Sequence, residues 1–200
     1  MIPKEIMKLY EKLAFSRGYE EAFRDFLDVC LYYLSVGMLA EDYRRVEKRY
    51  KPYEMELFVQ MFYRVSEYSE GFCDVLGDMF MECVSHGNNG QFFTPPDICD
   101  LMVLCTDSGE TATGKRICDP TCGSGRLLLA YHVRHLGNYL VAEDVNRTCC
   151  LMTVCNMLVH GCIGEVIHHD SLFPENFMDG WMVNHTLTQT GIPSIRRMSE

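Results

Sequence analysis

Positive charge is what this sequence has too little of for a protein that grips nucleic acid unaided. Eighteen lysines and arginines stand against 28 aspartates and glutamates, a net charge of -10. Phosphate neutralisation needs the opposite sign, so any nucleic-acid contact requires a local basic patch or a basic partner. The candidate patch is Arg44, Arg45, Lys48, Arg49 and Lys51, which at this spacing also reads as a solvated helix face. An apolar signal core is missing after Met1-Ile2-Pro3-Lys4-Glu5, and no apolar run approaches the roughly 20 residues that span a bilayer. The paired Cys-x2-Cys spacing of a zinc site is absent too. These absences predict no membrane span, no metal site and a reducing, cytoplasmic compartment, in which the eleven cysteines act as small buried hydrophobes.

What is present is enough apolar residue to bury a real core: 48% of 200 residues. From Lys4 to about Ser85 the apolar positions recur at helical spacing, as in Phe23, Phe26, Leu27, Cys30, Leu31 and Leu34, then Met55, Phe58, Phe62 and Val65. A further helix is predicted from Phe72, Val75, Leu76, Met79, Phe80 and Cys83, entered after Gly71. The aromatic stripe of these helices reads as core packing rather than as a platform for bases. Gly87-Asn88-Asn89-Gly90 favours a turn and marks a boundary between a helical subdomain, 1–88, and a second domain, 89–200.

Beyond that boundary short apolar runs alternate with helical segments, the pattern of a parallel α/β sheet. The runs are Arg116 to Cys118, Tyr139 to Ala142, Glu165 to Ile167 and Trp181 to Val183. The intervening helices are Asp97 to Cys105, Arg126 to His135 and Arg147 to His160.

Chemistry concentrates at predicted strand ends. Asp119-Pro120-Thr121-Cys122-Gly123-Ser124-Gly125 is a glycine-rich strand-to-helix turn, where the backbone can approach a cofactor and a helix N-terminus offers N–H donors. By itself it reads equally as a tight turn. About twenty residues on, Glu143-Asp144 offers a carboxylate for ribose hydroxyls, and the apolar alternation leaves the choice between the two acids open. Asp170, after His168 and His169, could accept a hydrogen bond from an adenine's exocyclic amine. Adjacent histidines in an extended strand point to opposite faces, which argues against a metal. A dinucleotide-linked oxidoreductase is disfavoured because Leu128 stands where a third glycine belongs.

Taken in order, Gly90-Gln91-Phe92-Phe93-Thr94-Pro95, Asp119-Pro120-Thr121-Cys122-Gly123-Ser124-Gly125, Glu143-Asp144-Val145-Asn146 and Asp170-Ser171-Leu172 resemble the modification subunits of type I restriction systems, which are adenine-N6 DNA methyltransferases. The resemblance covers roughly residues 90 to 172. It implies an N-terminal helical subdomain followed by a partial Rossmann-like methyltransferase sheet that binds S-adenosylmethionine. Phe93 and Thr94 would contact the methionine part, Asp119, Gly123 and Gly125 would line the methionine and sulfonium end, Asp144 would hold the ribose and Asp170 the adenine. Thr94 would also cap a helix opening at Pro95 and Pro96. DNA is the implied partner, reached through a specificity subunit or another chain.

The sequence departs from the family at the fourth strand, where Asn184-His185-Thr186-Leu187 replaces the Asn-Pro-Pro-Tyr or Asn-Pro-Pro-Phe segment that receives the flipped base. Asn184 is the surviving candidate for contact with the target adenine. Loss of the prolines and the aromatic ring predicts a severe loss of rate, or a non-catalytic protein that acts with a partner. An exposed sheet edge beside Trp181 to Val183 would favour pairing into a homo-oligomer.

Overall fold

A computed structural model describes residues 2–85, 92–106 and 113–198. The chain is a helical N-terminal part followed by a mixed five-stranded α/β sheet, and it divides into two compact units between Phe92 and Phe93. The expected boundary at Gly87-Asn88-Asn89-Gly90 lies outside the described residues.

The first unit comprises α1 (Lys4–Arg17), α2 (Tyr19–Leu34), α3 (Ala40–Glu47), α4 (Pro52–Tyr68) and α5 (Val75–Met79). Ile6, Tyr10, Leu13, Phe23, Phe26, Leu27, Phe58 and Met61 are fully buried, so the aromatic stripe is core. Helix α4 opens with Pro52, and the Glu54 carboxylate accepts from the Lys51 N–H at 2.8 Å, which satisfies a backbone donor at the helix start. The helix expected directly after Gly71 begins later. Gly71 and Phe72 have positive φ in a short 3-10 turn, and α5 starts only where Asp74 accepts from the Gly77 N–H at 2.8 Å.

The basic cluster is largely spent on internal acids. Arg45 pairs with Asp28 at 2.7 Å and with Asp42 at 3.2 Å, while Arg49 pairs with Asp25 at 3.0 Å and with Glu21. Asp25 and Asp28 are buried, and two unpaired carboxylates there would cost far more than the pairs contribute. Among the described residues Arg44, Lys48 and Lys51 of the cluster make no ion pair, and Lys51 lies over the Tyr53 ring.

The second unit carries α6 (Pro96–Thr106), β1 (Arg116–Asp119), α7 (Arg126–Arg134), β2 (Tyr139–Asp144), α8 (Arg147–Val159), β3 (Ile163–His168), β4 (Asp179–Val183), α9 (Leu187–Thr190) and β5 (Ile195–Arg197). The strands lie in the order β1-β2-β3-β4-β5. Strands β1, β2 and β3 are parallel, with Asp119 opposite Ala142 and Asp144 opposite His168. Leu140, Ala142, Val166, Trp181 and Val183 are fully buried on strands that α8 packs against, while α7 packs on β1. Eight of the eleven cysteines are buried, as small hydrophobes should be; Cys73, Cys105 and Cys118 are exposed.

Two expectations are corrected here. The sheet is not wholly parallel, because β4 runs antiparallel to β3, with Asp179 opposite His168 and Val183 opposite Gly164. Nor is Trp181 to Val183 an edge. The unforeseen strand β5 pairs with it on the far side, Trp181 opposite Arg197 and Val183 opposite Ile195, which removes the ground for a homo-oligomer through that strand.

Candidate active site

Because β1, β2 and β3 are parallel, their carboxyl ends emerge at one end of the sheet, bringing the turn after Asp119, Asp144 and the segment at Asp170 side by side. Their loops are laced together. The Cys122 N–H donates to the Glu143 carbonyl at 2.8 Å, the His169 N–H to the Asp144 carbonyl at 3.1 Å, and Ser171 Oγ to the Pro120 carbonyl at 2.7 Å.

The central joint is Asp144 with the glycine turn. Oδ2 accepts from the Gly123 N–H at 2.9 Å and Oδ1 from the Asn146 N–H at 2.8 Å. Each oxygen accepts one of these bonds and keeps a lone pair for another. Glu143 points elsewhere, its Oε2 3.1 Å from His169 Nε2 and its Oε1 accepting from Cys118 Sγ at 3.8 Å. Asp144 is therefore the acid that meets the turn. Burial pushes its carboxyl above the usual range, against the pull of its backbone donors. Asp119 is raised by burial as well, and the Asp144 charge adds to that rise. Its Oδ1 accepts from the Thr121 N–H at 3.1 Å.

Gly123 has φ +57°, and a Cβ there would fall 2.9 Å from Cδ1 of Phe93, so the half-buried Phe93 ring lies against the bare backbone of the turn. Gly125, at φ +80°, is the residue before α7, and a Cβ on it would meet Thr153 Cγ2 at 2.9 Å. Thr94 is exposed and does not cap the helix as expected. Helix α6 opens at Pro96, the first helical bonds go to the Pro95 carbonyl, and the Thr94 carbonyl accepts from Arg126 at 3.4 Å. Asp170 accepts from the Leu172 N–H at 3.0 Å through Oδ1 and is half-buried. Gly90 and Gln91 of the first motif lie outside the described residues.

Two residues that shape the turn escaped the sequence reading. Thr153 Oγ1 donates to the Gly123 carbonyl at 3.1 Å and Asn156 Nδ2 to the Ser124 carbonyl at 2.8 Å, both from the buried face of α8. Two polar residues three apart within the apolar stretch Cys149 to Val159 of the helix were the available signal. Val145, 63% exposed, and Leu172, 83% exposed, are apolar side chains at the ends of β2 and of the β3 loop.

Asn184 is not brought to this crevice. Since β4 runs backwards, the step from Asp179 to Val183 carries the chain roughly 13 Å away from it, to the level where β3 begins. There Asn184 is 0% exposed, with φ +56°. Its Nδ2 donates to the carbonyls of Met157 at 3.1 Å and Cys162 at 2.9 Å, and its Oδ1 accepts from the Ser194 N–H at 3.1 Å. The amide is spent on backbone groups, which corrects the expectation that it contacts a target base.

Among the described residues no cluster of three or more His, Cys, Asp or Glu could hold a metal ion, and no helix is long and apolar enough to cross a membrane. The family model described as N-6 DNA Methylase matches residues 72–188. The chain is similar to the type I restriction enzyme EcoEI methylase subunit of Escherichia coli, 29% identical over 114 residues, which take in 50% of this chain and 23% of that protein. It is also similar to the type I restriction enzyme MjaVII methylase subunit of Methanocaldococcus jannaschii, 25% identical over 113 residues, 52% of this chain and 19% of that one. The matched segment thus spans about a fifth of the length of these curated relatives. No solved structure matches the chain.

Proposed function

The chain belongs to the N-6 DNA methylase family, and from that premise we propose that its crevice is an S-adenosylmethionine site and that the chain is the cofactor-binding portion of a restriction-modification adenine-N6 DNA methyltransferase. The observation that carries this is the joint between Gly123 and Asp144. Gly123, with no side chain of its own, donates its backbone N–H to a carboxylate that retains lone pairs for ribose hydroxyls.

The residues fit the cofactor. Gly123 and Gly125 leave the room that the Phe93 ring and Thr153 occupy against the turn, Asp119 stands at the methionine end, and Phe93 covers the turn with Thr94 beside it. Val145 and Leu172 offer apolar surface to an adenine, whose amine would reach Asp170. The two raised carboxyls, Asp119 and Asp144, favour a ligand that brings positive charge between them. Bound there, S-adenosylmethionine would supply an electrophilic methyl group on a cationic sulfonium.

A second reading, a non-catalytic cofactor-binding protein that acts with a partner, is favoured by one observation: Asn184 is buried at the opposite end of the sheet. The two readings agree that base recognition comes from outside these residues, with DNA reached through a specificity subunit or another basic chain, as the net charge of -10 requires.

Calorimetric titration with S-adenosylmethionine, followed by tritiated methyl transfer to unmethylated DNA, tests both. Binding without transfer by the chain alone is expected. Transfer by the chain alone would overturn the requirement for outside elements, and absence of binding would overturn the cofactor site.

A further inference from the structure

A glycine-rich turn does not choose its own shape. Glycine visits positive and negative φ about equally, so the glycines themselves do not select the φ of +57° at Gly123 or of +80° at Gly125. Helix α8 supplies part of that selection. Thr153 and Asn156, 0% and 1% exposed, stand one turn apart on it. Thr153 Oγ1 donates to the Gly123 carbonyl at 3.1 Å, and Asn156 Nδ2 donates to the Ser124 carbonyl at 2.8 Å. A hydroxyl has one proton to give, so in the 3.4 Å contact between Thr153 Oγ1 and Cys122 Sγ the thiol is the donor. The same threonine fills the space that a Cβ on Gly125 would take, 2.9 Å from Cγ2. One buried side chain therefore meets Cys122, Gly123 and Gly125 together.

We infer that Thr153 is a positioning residue for cofactor binding, which through the Gly123 backbone sets the Asp144 carboxylate before any ligand arrives. The inference rests on the S-adenosylmethionine reading of the crevice. Gly123 is held at both ends, its carbonyl by Thr153 and its N–H by Oδ2 of Asp144 at 2.9 Å. The two bonds lie on either side of a Cα with no side chain to restrain its rotation. Gly123 is buried, so its carbonyl, once deprived of the hydroxyl, turns to find another donor. That rotation carries the N–H away from Asp144, whose Oδ2 loses the bond that orients it while Oδ1 stays with the Asn146 N–H at 2.8 Å. A carboxylate that must be re-ordered when the ribose arrives costs affinity that a preset one does not.

The full chain is titrated calorimetrically with S-adenosylmethionine, well below its melting temperature, as wild type and as Thr153→Val, Thr153→Ser and Val154→Ala. Valine keeps the shape against Gly125 but lacks the hydroxyl, and affinity should fall by on the order of tenfold, the worth of one hydrogen bond. Serine gives the hydroxyl back and should restore most of that affinity. Val154, 0% exposed on the same helix, is the control for packing: its truncation opens a cavity and should lower the melting temperature without weakening binding. Without cofactor, exchange of the Gly123 amide followed by nuclear magnetic resonance should quicken by on the order of tenfold in Thr153→Val and not in Thr153→Ser. Failure of the wild-type chain to bind would overturn the S-adenosylmethionine reading and this inference with it. Where the wild-type chain binds, undiminished affinity in Thr153→Val, an equal loss in Thr153→Ser or an equal loss in Val154→Ala each overturns the inference alone. So does a Gly123 amide that exchanges in Thr153→Val at its wild-type rate.

Discussion

The backbone N–H of Gly123 donates to Oδ2 of Asp144 at 2.9 Å, so the acid that ends β2 organises the turn that follows β1. Asp144→Ala removes both that bond and the ribose acceptor. Affinity for S-adenosylmethionine should fall by about 1–3 kcal/mol, the usual cost of lost charge-assisted hydrogen bonds. Calorimetry reads it directly, and unchanged affinity would remove Asp144 from the site.

Gly123→Ala meets two obstacles that can be separated. The residue has φ +57°, which an L side chain adopts at a cost of about 1 kcal/mol, and its Cβ would meet Phe93 Cδ1 at 2.9 Å. Phe93→Ala should relieve the second and leave the first. A thermal double-mutant cycle is expected to show positive coupling between the two sites, and strict additivity would mean the ring simply moves aside.

The raised carboxyls set a pH dependence. In the folded chain Asp119 and Asp144 hold their protons to higher pH than free aspartate, chiefly through burial. A cationic ligand binds their ionised forms, so affinity should rise as pH increases through the raised carboxyl range and flatten above it. Titrations across that range should show proton release on binding below the plateau. Affinity independent of pH would mean that neither acid faces the ligand's charge.

Stability follows the opposite sign. A folded-state pKa above the unfolded one stabilises the fold below the unfolded pKa, and that contribution is lost as pH rises through the folded value. Asp119→Asn should therefore raise the melting temperature at neutral pH, where the wild-type chain holds a buried charge. The gain should shrink in acid, where both side chains are neutral. Differential scanning calorimetry at several pH values checks this, and a gain that grows on acidification would contradict it.

The parts of the fold legible in the sequence are those whose signal is local. Arg116 to Cys118, Tyr139 to Ala142 and Arg147 to His160 are each declared by their own apolar pattern, and each lies within one residue or two of an observed element or its start. Strand direction is not a local property, and β4 shows the consequence. A clue did exist: β3 ends at His168 and β4 starts at Asp179, and the intervening loop holds no helix. A parallel return needs a crossover of a dozen residues or more, usually helical, so an antiparallel return was the readable outcome. Missing it carried Asn184 into the wrong end of the sheet. At the site, Asp144 and Glu143 were adjacent acids of equal composition, and only the geometry that joins Asp144 to Gly123 separates them.

Asn184 gives the sharpest division between a structural and a base-binding role. Its amide bridges the carbonyls of Met157 and Cys162 to the Ser194 N–H, and the Asn184 N–H itself donates to the Ser194 carbonyl at 2.7 Å. Asparagine also tolerates its φ of +56° better than other residues with a side chain. Asn184→Ala keeps the backbone bond, but it strands buried acceptors and a donor and puts alanine in a left-handed conformation. A loss of about 2–4 kcal/mol of stability is expected from these together. Asn184→Gly should recover the conformational part and not the hydrogen bonds. Neither change should alter S-adenosylmethionine affinity in the fraction that remains folded, because the crevice lies at the other end of β3 and β4. A variant of unchanged stability that loses DNA binding instead would return Asn184 to the role its sequence position suggests.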